Sequence, residues 1–307
     1  MSDEELIGKT KQLLRGFRQI GLEQIKIFKE LNPGPIRRTR INGHMMGELN
    51  GIFMPIEDVM RRIGTEENIF LVNMLDGFWN YYLLNSESIE SPARQGIDRT
   101  LLELCYQKLL PFTSFTSAEK KRTLLISQLC DIGMILAAPS EQDRAAVPNY
   151  TNDYNYWVSQ LSRETDKIKF ERLQSEGYPT HVYAKAKHAL WPSFFHAFND
   201  NIDELIFLWG GSSPGSIASV HASTLRMYLH QHDFVHGSYT SAIAALEAVD
   251  TKKHIFTSCA ISTQAGYQVL HTVNANYLSG REIDLTELST ETSQLVSLIF
   301  ERFSHLG

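Results

Sequence analysis

Cysteine is scarce, with only Cys105, Cys130 and Cys259 in 307 residues, no CxxC and no even-numbered framework. A disulfide-stapled miniprotein is thereby excluded, and buried, reduced thiols are expected. Positive charge is also in deficit: the formal net charge is −6 with a pI of about 6.0, so no global positive field draws the chain onto nucleic acid or an anionic membrane. Ten prolines and 19 glycines are too few for a collagen-like chain, and no low-complexity segment or 20–50-residue repeat is visible. The start, MSDEELIGKTKQLL, is acidic and polar, without the pattern of a signal or transit peptide, which sets the expectation of a cytoplasmic protein. The most apolar run, Ile69 to Leu84, is interrupted by Asn73, Asp76, Gly77 and Asn80, so no membrane partner is expected.

The common enzyme signatures are missing too. There is no GxxxxGK[ST], no GxGxxG after a strand, no HExxH and no Glu-x-x-His pair. GxSxG occurs once, from Gly211 to Gly215, but Pro214 follows the central serine and has no N–H to offer an oxyanion hole. No resident cofactor is implied.

What is present is helical periodicity. With 43% hydrophobic and 21% charged residues the chain has material for a sizeable core. Leu6, Leu13, Phe17, Ile20, Ile27 and Leu31 recur at helical steps, and Asn32-Pro33-Gly34-Pro35 stops that first helix. The basic stretch Arg37 to Gly51 reads as a solvated loop, with a phosphate-contacting arm as the rival reading. Glu66 to Leu84 is apolar nearly all round, as in a central buried helix. Further helices are expected from about Pro92 to Leu110 (Ile97, Leu101, Leu104, Cys105 and Leu109 inward) and from Ser117 to Ala137, capped by Thr116 or Ser117. Others are expected from Tyr154 to Lys169, from Ala184 to Leu208 with a break at Pro192, from Ile217 to Val235, from Tyr239 to Val249, from Phe256 to Tyr277, and from Glu287 onward. Strand patterning with regular turn signals is not evident. The chain reads as an all-α multi-helix bundle of about seven to eleven helices, with residues 1–60 an N-terminal helix and basic loop and 61–307 the bundle domain.

Histidine is unevenly placed: nine of eleven lie between His181 and His271, three of them within Tyr228 to Ser238. A helix reaching His236 puts Leu225, Leu229, His232 and His236 on one stripe, with Arg226, His230 and Asp233 beside it. Paired His at i and i+4 suits a metal, and His232-Asp233 is similar to the His-Asp dipeptide of helical metal phosphohydrolases. His236 near a helix end suits general acid–base work. Arg226-x5-His232 matches the Arg-x(4–6)-His spacing of helical prokaryotic ribonucleases, although six residues put the two about 120° apart on a straight helix. Against these stands the plain alternative that histidines in a last helical turn simply answer the helix dipole.

Arg99 and Glu103, at i and i+4, are either an intrahelical ion pair or a partly buried clamp or site, since Leu101, Leu102, Leu104 and Tyr106 leave little exposed surface beside them. Tyr150, Tyr154, Tyr156 and Trp157 form an aromatic cluster suited to helix packing, with base stacking as the rival.

The Arg99-x3-Glu103 helix followed by Tyr228-x7-His236-Gly237-Ser238 resembles an uncharacterised all-helical bacterial family with an Arg-x3-Glu core helix and a late Tyr-x3-Ser-x3-His-Pro-Ser segment. The resemblance spans roughly residues 64 to 250, and departs from the pattern at His232 (Ser in the family) and Gly237 (Pro). It implies that Arg99, Glu103, Tyr228 and His236 converge in one polar pocket of a helical bundle. It carries no activity with it.

Two functions follow as expectations. One is a metal-independent ribonuclease-like hydrolase of bacterial defence or stress response. In it His236 or His232 is the acid–base, Arg226 or Arg99 the phosphate partner, Tyr228 the orienting group, and RNA or a nucleotide the substrate. The other is a non-catalytic interaction or assembly module that binds a partner protein or an identical subunit. A metal phosphohydrolase is a further alternative.

Overall fold

The computed structural model describes residues 1–32, 37–49, 52–55, 66–90, 94–200 and 251–305. In chain order the elements are α1 (Asp3–Leu31), β1 (Arg37–Ile41), β2 (His44–Leu49), β3 (Ile52–Pro55), α2 (Glu66–Ser88) and α3 (Arg94–Leu102). The last continues through a π-helical segment (Glu103–Leu109) into α4 (Leu110–Ser114). Then come α5 (Ser117–Ala137), α6 (Glu141–Arg144), α7 (Val147–Ser159), α8 (Glu164–Ser175), α9 (Thr180–His188), α10 (Phe194–Asp200), α11 (Thr251–Tyr277) and α12 (Thr286–His305). The protein is an all-α multi-helix bundle to which one small sheet is added. No described helix is long and apolar enough to cross a membrane.

The chain forms two compact units: Met1–Leu31, Asn73–Thr113 and Ser193–Gly307 in the first, Asn32–Val72 and Ser114–Pro192 in the second.

In the first unit α11 packs against α1, α3, α12 and the π-helical segment. Helix α1 starts on a reciprocal cap, in which Ser2 Oγ accepts from the Glu5 N–H at 3.1 Å and Glu5 Oε2 accepts from the Ser2 N–H at 2.6 Å. Its buried stripe is not purely apolar, since it runs Leu6, Thr10, Leu14, Phe17, Gly21, Gln24, Ile25 and Phe28. Leu13, Ile20 and Ile27 are only half-buried, and Leu31 is exposed, contrary to the expectation from periodicity. The polar members fit because each donates to a backbone carbonyl: Gln24 Nε2 to that of Leu270 at 2.8 Å and Thr10 Oγ1 to that of Leu6 at 2.9 Å. Gly266 of α11 is a close-approach point, because a Cβ there would lie 2.2 Å from the Tyr82 hydroxyl and 2.7 Å from the Phe17 ring.

In the second unit α5 packs against α7 and α9 around Leu125, Leu129, Tyr150, Tyr154, Trp157, Phe170 and Tyr183. Thr116 caps α5 in a full capping box with Glu119. Tyr150, Tyr154 and Trp157 are buried, so they serve helix packing and offer no stacking face to a base. The single helix expected from Tyr154 to Lys169 is two, because α7 ends at Ser159 and α8 begins at Glu164, with buried Leu161 between them.

The basic stretch after Asn32 corrects the loop reading. β1, β2 and β3 form an antiparallel meander in which Arg37 pairs with Glu48, Thr39 with Met46, Ile41 with His44 and Gly47 with Met54. Its first turn, Asn42-Gly43, has φ of 51° and 81°, the left-handed pair of a two-residue type I′ hairpin. At Gly43 a Cβ would stand 2.5 Å from Ala146 Cβ, so only glycine lets this turn seat there.

Candidate functional site

Among the described residues of the first unit, a buried polar constellation sits where α2, α3 and α11 meet. Asp98 is 1% exposed and lies one residue before Arg99. Ser258 Oγ donates to its two carboxylate oxygens at 2.9 and 2.7 Å, and Asn85 Nδ2 donates to Oδ1 at 2.9 Å. The same Asn85 amide donates to Ser262 Oγ, and the Tyr82 hydroxyl donates to the Ser262 carbonyl at 2.7 Å. Ser258 and Ser262 are one helical step of four apart, so α11 presents both hydroxyls on one face. Burial pushes the Tyr82 hydroxyl well above its ordinary range, which keeps it a neutral donor.

A carboxylate out of water is costly unless donors surround it, and here Ser258 and Asn85, on two other helices, each donate a hydrogen bond to it, that of Ser258 lying between both oxygens. Chemically the arrangement is a clamp. The Ser258 hydroxyl gives its proton toward Asp98, but Asp98, Ser258, Asn85 and Ser262 are all at most 1% exposed, so no substrate reaches them.

Arg99 and Glu103 stand next to this clamp on the outer side of the same helix. Arg99 Nε donates to Glu103 Oε1 at 3.0 Å, with 14% and 31% of the two side chains exposed. The pair coincides with a change of backbone: from Glu103 the helix widens to π, and the Leu110 N–H donates to the Cys105 carbonyl, five residues back. The buried stripe consequently runs Asp98, Leu101, Leu102, Cys105, Tyr106 and Leu109, while Ile97 and Leu104, expected inward, are half-buried.

Of the residues singled out in the sequence, Arg99 and Glu103 are therefore brought together. Arg226, Tyr228, His232 and His236 lie outside the described residues. Among the described residues no group of three or more His, Cys, Asp or Glu could hold a metal ion. All three cysteines are buried thiols, as expected, and burial raises that of Cys130 to about 12. The functional reading of the sequence missed Asp98, Asn85, Ser258 and Ser262. The one local signal was the four-residue spacing of Ser258 and Ser262, which puts both on one face of their helix.

Comparison of the chain with protein-family models, with curated proteins and with solved structures finds no match.

Proposed function

We propose that this protein is a non-catalytic interaction or assembly module whose partner is another protein or an identical subunit. The observation that carries the reading is the sealing of the Asp98–Ser258–Asn85 clamp: a buried carboxylate and its donors hold three helices in register and face no solvent. Buried hydrogen-bond networks of this kind favour one packing over its alternatives, because each donor and acceptor has to meet its partner from another helix. The net charge of −6 also suits protein recognition better than binding a polyanion.

A second reading, the metal-independent ribonuclease-like hydrolase of bacterial defence or stress response, has one specific observation in its favour. The π-helical segment starts at Glu103, and such single-turn widenings are frequent at functional sites. In that reading Arg99 and Glu103 form one wall of the site, and Arg226, Tyr228, His232 and His236 complete it.

Incubating the purified chain, and its His236→Ala and Glu103→Gln variants, with a mixed-sequence RNA separates the two. The module reading expects no cleavage by any of the three. Cleavage by the parent that disappears in His236→Ala, with the thermal transition unchanged, overturns it.

A further inference from the structure

We infer that the outer edge of β1 is a docking edge for an extended acidic segment of a partner protein, added as a fourth strand to the sheet. This rests on the interaction-module reading and names the partner chemistry. In a type I′ hairpin the pair flanking the two-residue turn, Ile41 and His44, exchanges both backbone hydrogen bonds. Antiparallel pairs then alternate, so Thr39–Met46 and Arg37–Glu48 are bonded pairs, whereas Arg38 and Arg40 are not bonded to β2. The N–H and C=O groups of Arg38 and Arg40 accordingly point to the other side of β1. Among the described residues the sheet order is β1-β2-β3, and no strand pairs with that side.

The edge strand is also strongly basic in a chain that is acidic overall. Three arginines occupy the four residues Arg37 to Arg40, against a net charge of −6. Natural sheets protect free edges with charge, and a charge of one sign selects the opposite sign in whatever strand is added. A second copy of β1 is disfavoured as the occupant, because antiparallel pairing of two such strands sets arginines beside arginines. A long nucleic acid is disfavoured by the remaining acidic surface, and it has no backbone N–H to give the outward carbonyls of Arg38 and Arg40. A short strand with acidic side chains at alternate positions answers both the backbone and the charge.

Fluorescence anisotropy with a labelled ten-residue peptide of alternating Glu and Val, titrated with the full-length chain at low salt, tests this. The expected result is saturable binding that weakens at least tenfold in the Arg38→Glu, Arg40→Glu double variant. It should weaken at least tenfold again when alternate peptide nitrogens are methylated, which removes strand pairing and keeps the charge. If the double Glu variant does not fold, Arg38→Gln with Arg40→Gln takes its place. Absence of binding, or equal binding of the methylated peptide, overturns strand addition. A labelled twenty-nucleotide oligo-dT bound more tightly than the peptide through the same arginines also overturns it, in favour of a nucleic-acid surface. Failure in the peptide experiments alone leaves the module reading standing. RNA cleavage lost in His236→Ala removes the module reading itself.

Discussion

The two compact units solve the problem of burying a helix bundle differently. The second has an apolar and aromatic core in which buried tyrosine hydroxyls have nearby acceptors: Tyr154 OH donates to the Phe170 carbonyl at 2.9 Å and Tyr150 OH to Asp143 at 2.7 Å. Its charges pair nearer the surface, as in Arg122–Asp166 and Lys187–Asp131. The first unit takes polarity into its centre, burying Asp98, Asn85, Ser258, Ser262, Thr263 and Gln268. Apolar stripes are therefore a sound guide to the inside of the second unit and an incomplete one to the inside of the first. A core that relies on volume tolerates any side chain of suitable size, whereas one that relies on hydrogen bonds requires particular atoms at particular places.

That contrast can be broken most severely by truncating the aromatic core. Trp157→Ala should cost about 3–5 kcal/mol, through lost burial and the cavity left behind, seen as a lower denaturant midpoint. Tryptophan fluorescence and near-UV circular dichroism would localise the loss. Next in size, Asp98→Ala removes the acceptor of Ser258 and one acceptor of Asn85, and should cost about 2–3 kcal/mol by stranding buried donors. The sharper comparison is Asp98→Asn, which keeps the volume. A loss as large as that of Asp98→Ala shows that the carboxylate's acceptor pattern matters, whereas a near-neutral result means that the first unit is held by volume like the second.

The Arg122–Asp166 pair joins α5 to α8 through bonds of 2.6 and 3.0 Å, and the guanidinium holds the Asp166 carboxyl below its ordinary value of 3.8. A group with a lowered folded-state pKa contributes its full stabilisation above the unfolded value and loses it as pH falls through the folded one. Arg122→Ala should therefore cost about 1.5–3 kcal/mol near neutrality. Urea titrations at a series of pH values should show the difference from the parent shrinking below pH 3.8. A difference that stays constant through that range would mean that Arg122 acts through packing alone. Smallest, Thr116→Ala removes the cap of α5 and should lower stability by about 1 kcal/mol, read from the same titrations.

Much of the fold was legible in the residues. The break near Pro192, the start of α5 at Thr116 and the buried middle of α2 all follow from local rules of capping and periodicity. The meander was missed although Asn42-Gly43 is a strong hairpin signal, because three arginines in β1 hide the alternation on which strand reading depends. The Arg99–Glu103 pair was visible as an i, i+4 spacing, but Asp98 beside it was not. Its partners Asn85 and Ser258 are 13 and 160 residues away, and neither distance leaves a local trace.

Composition and helical periodicity by themselves determined that this chain forms a helical bundle, because the burial of an apolar stripe depends only on spacing along one helix. Which polar atoms enter the core was decided by tertiary structure alone. A buried carboxylate, amide or hydroxyl is stable only when its partner arrives from another helix at bonding distance, and that distance exists only once the helices have met.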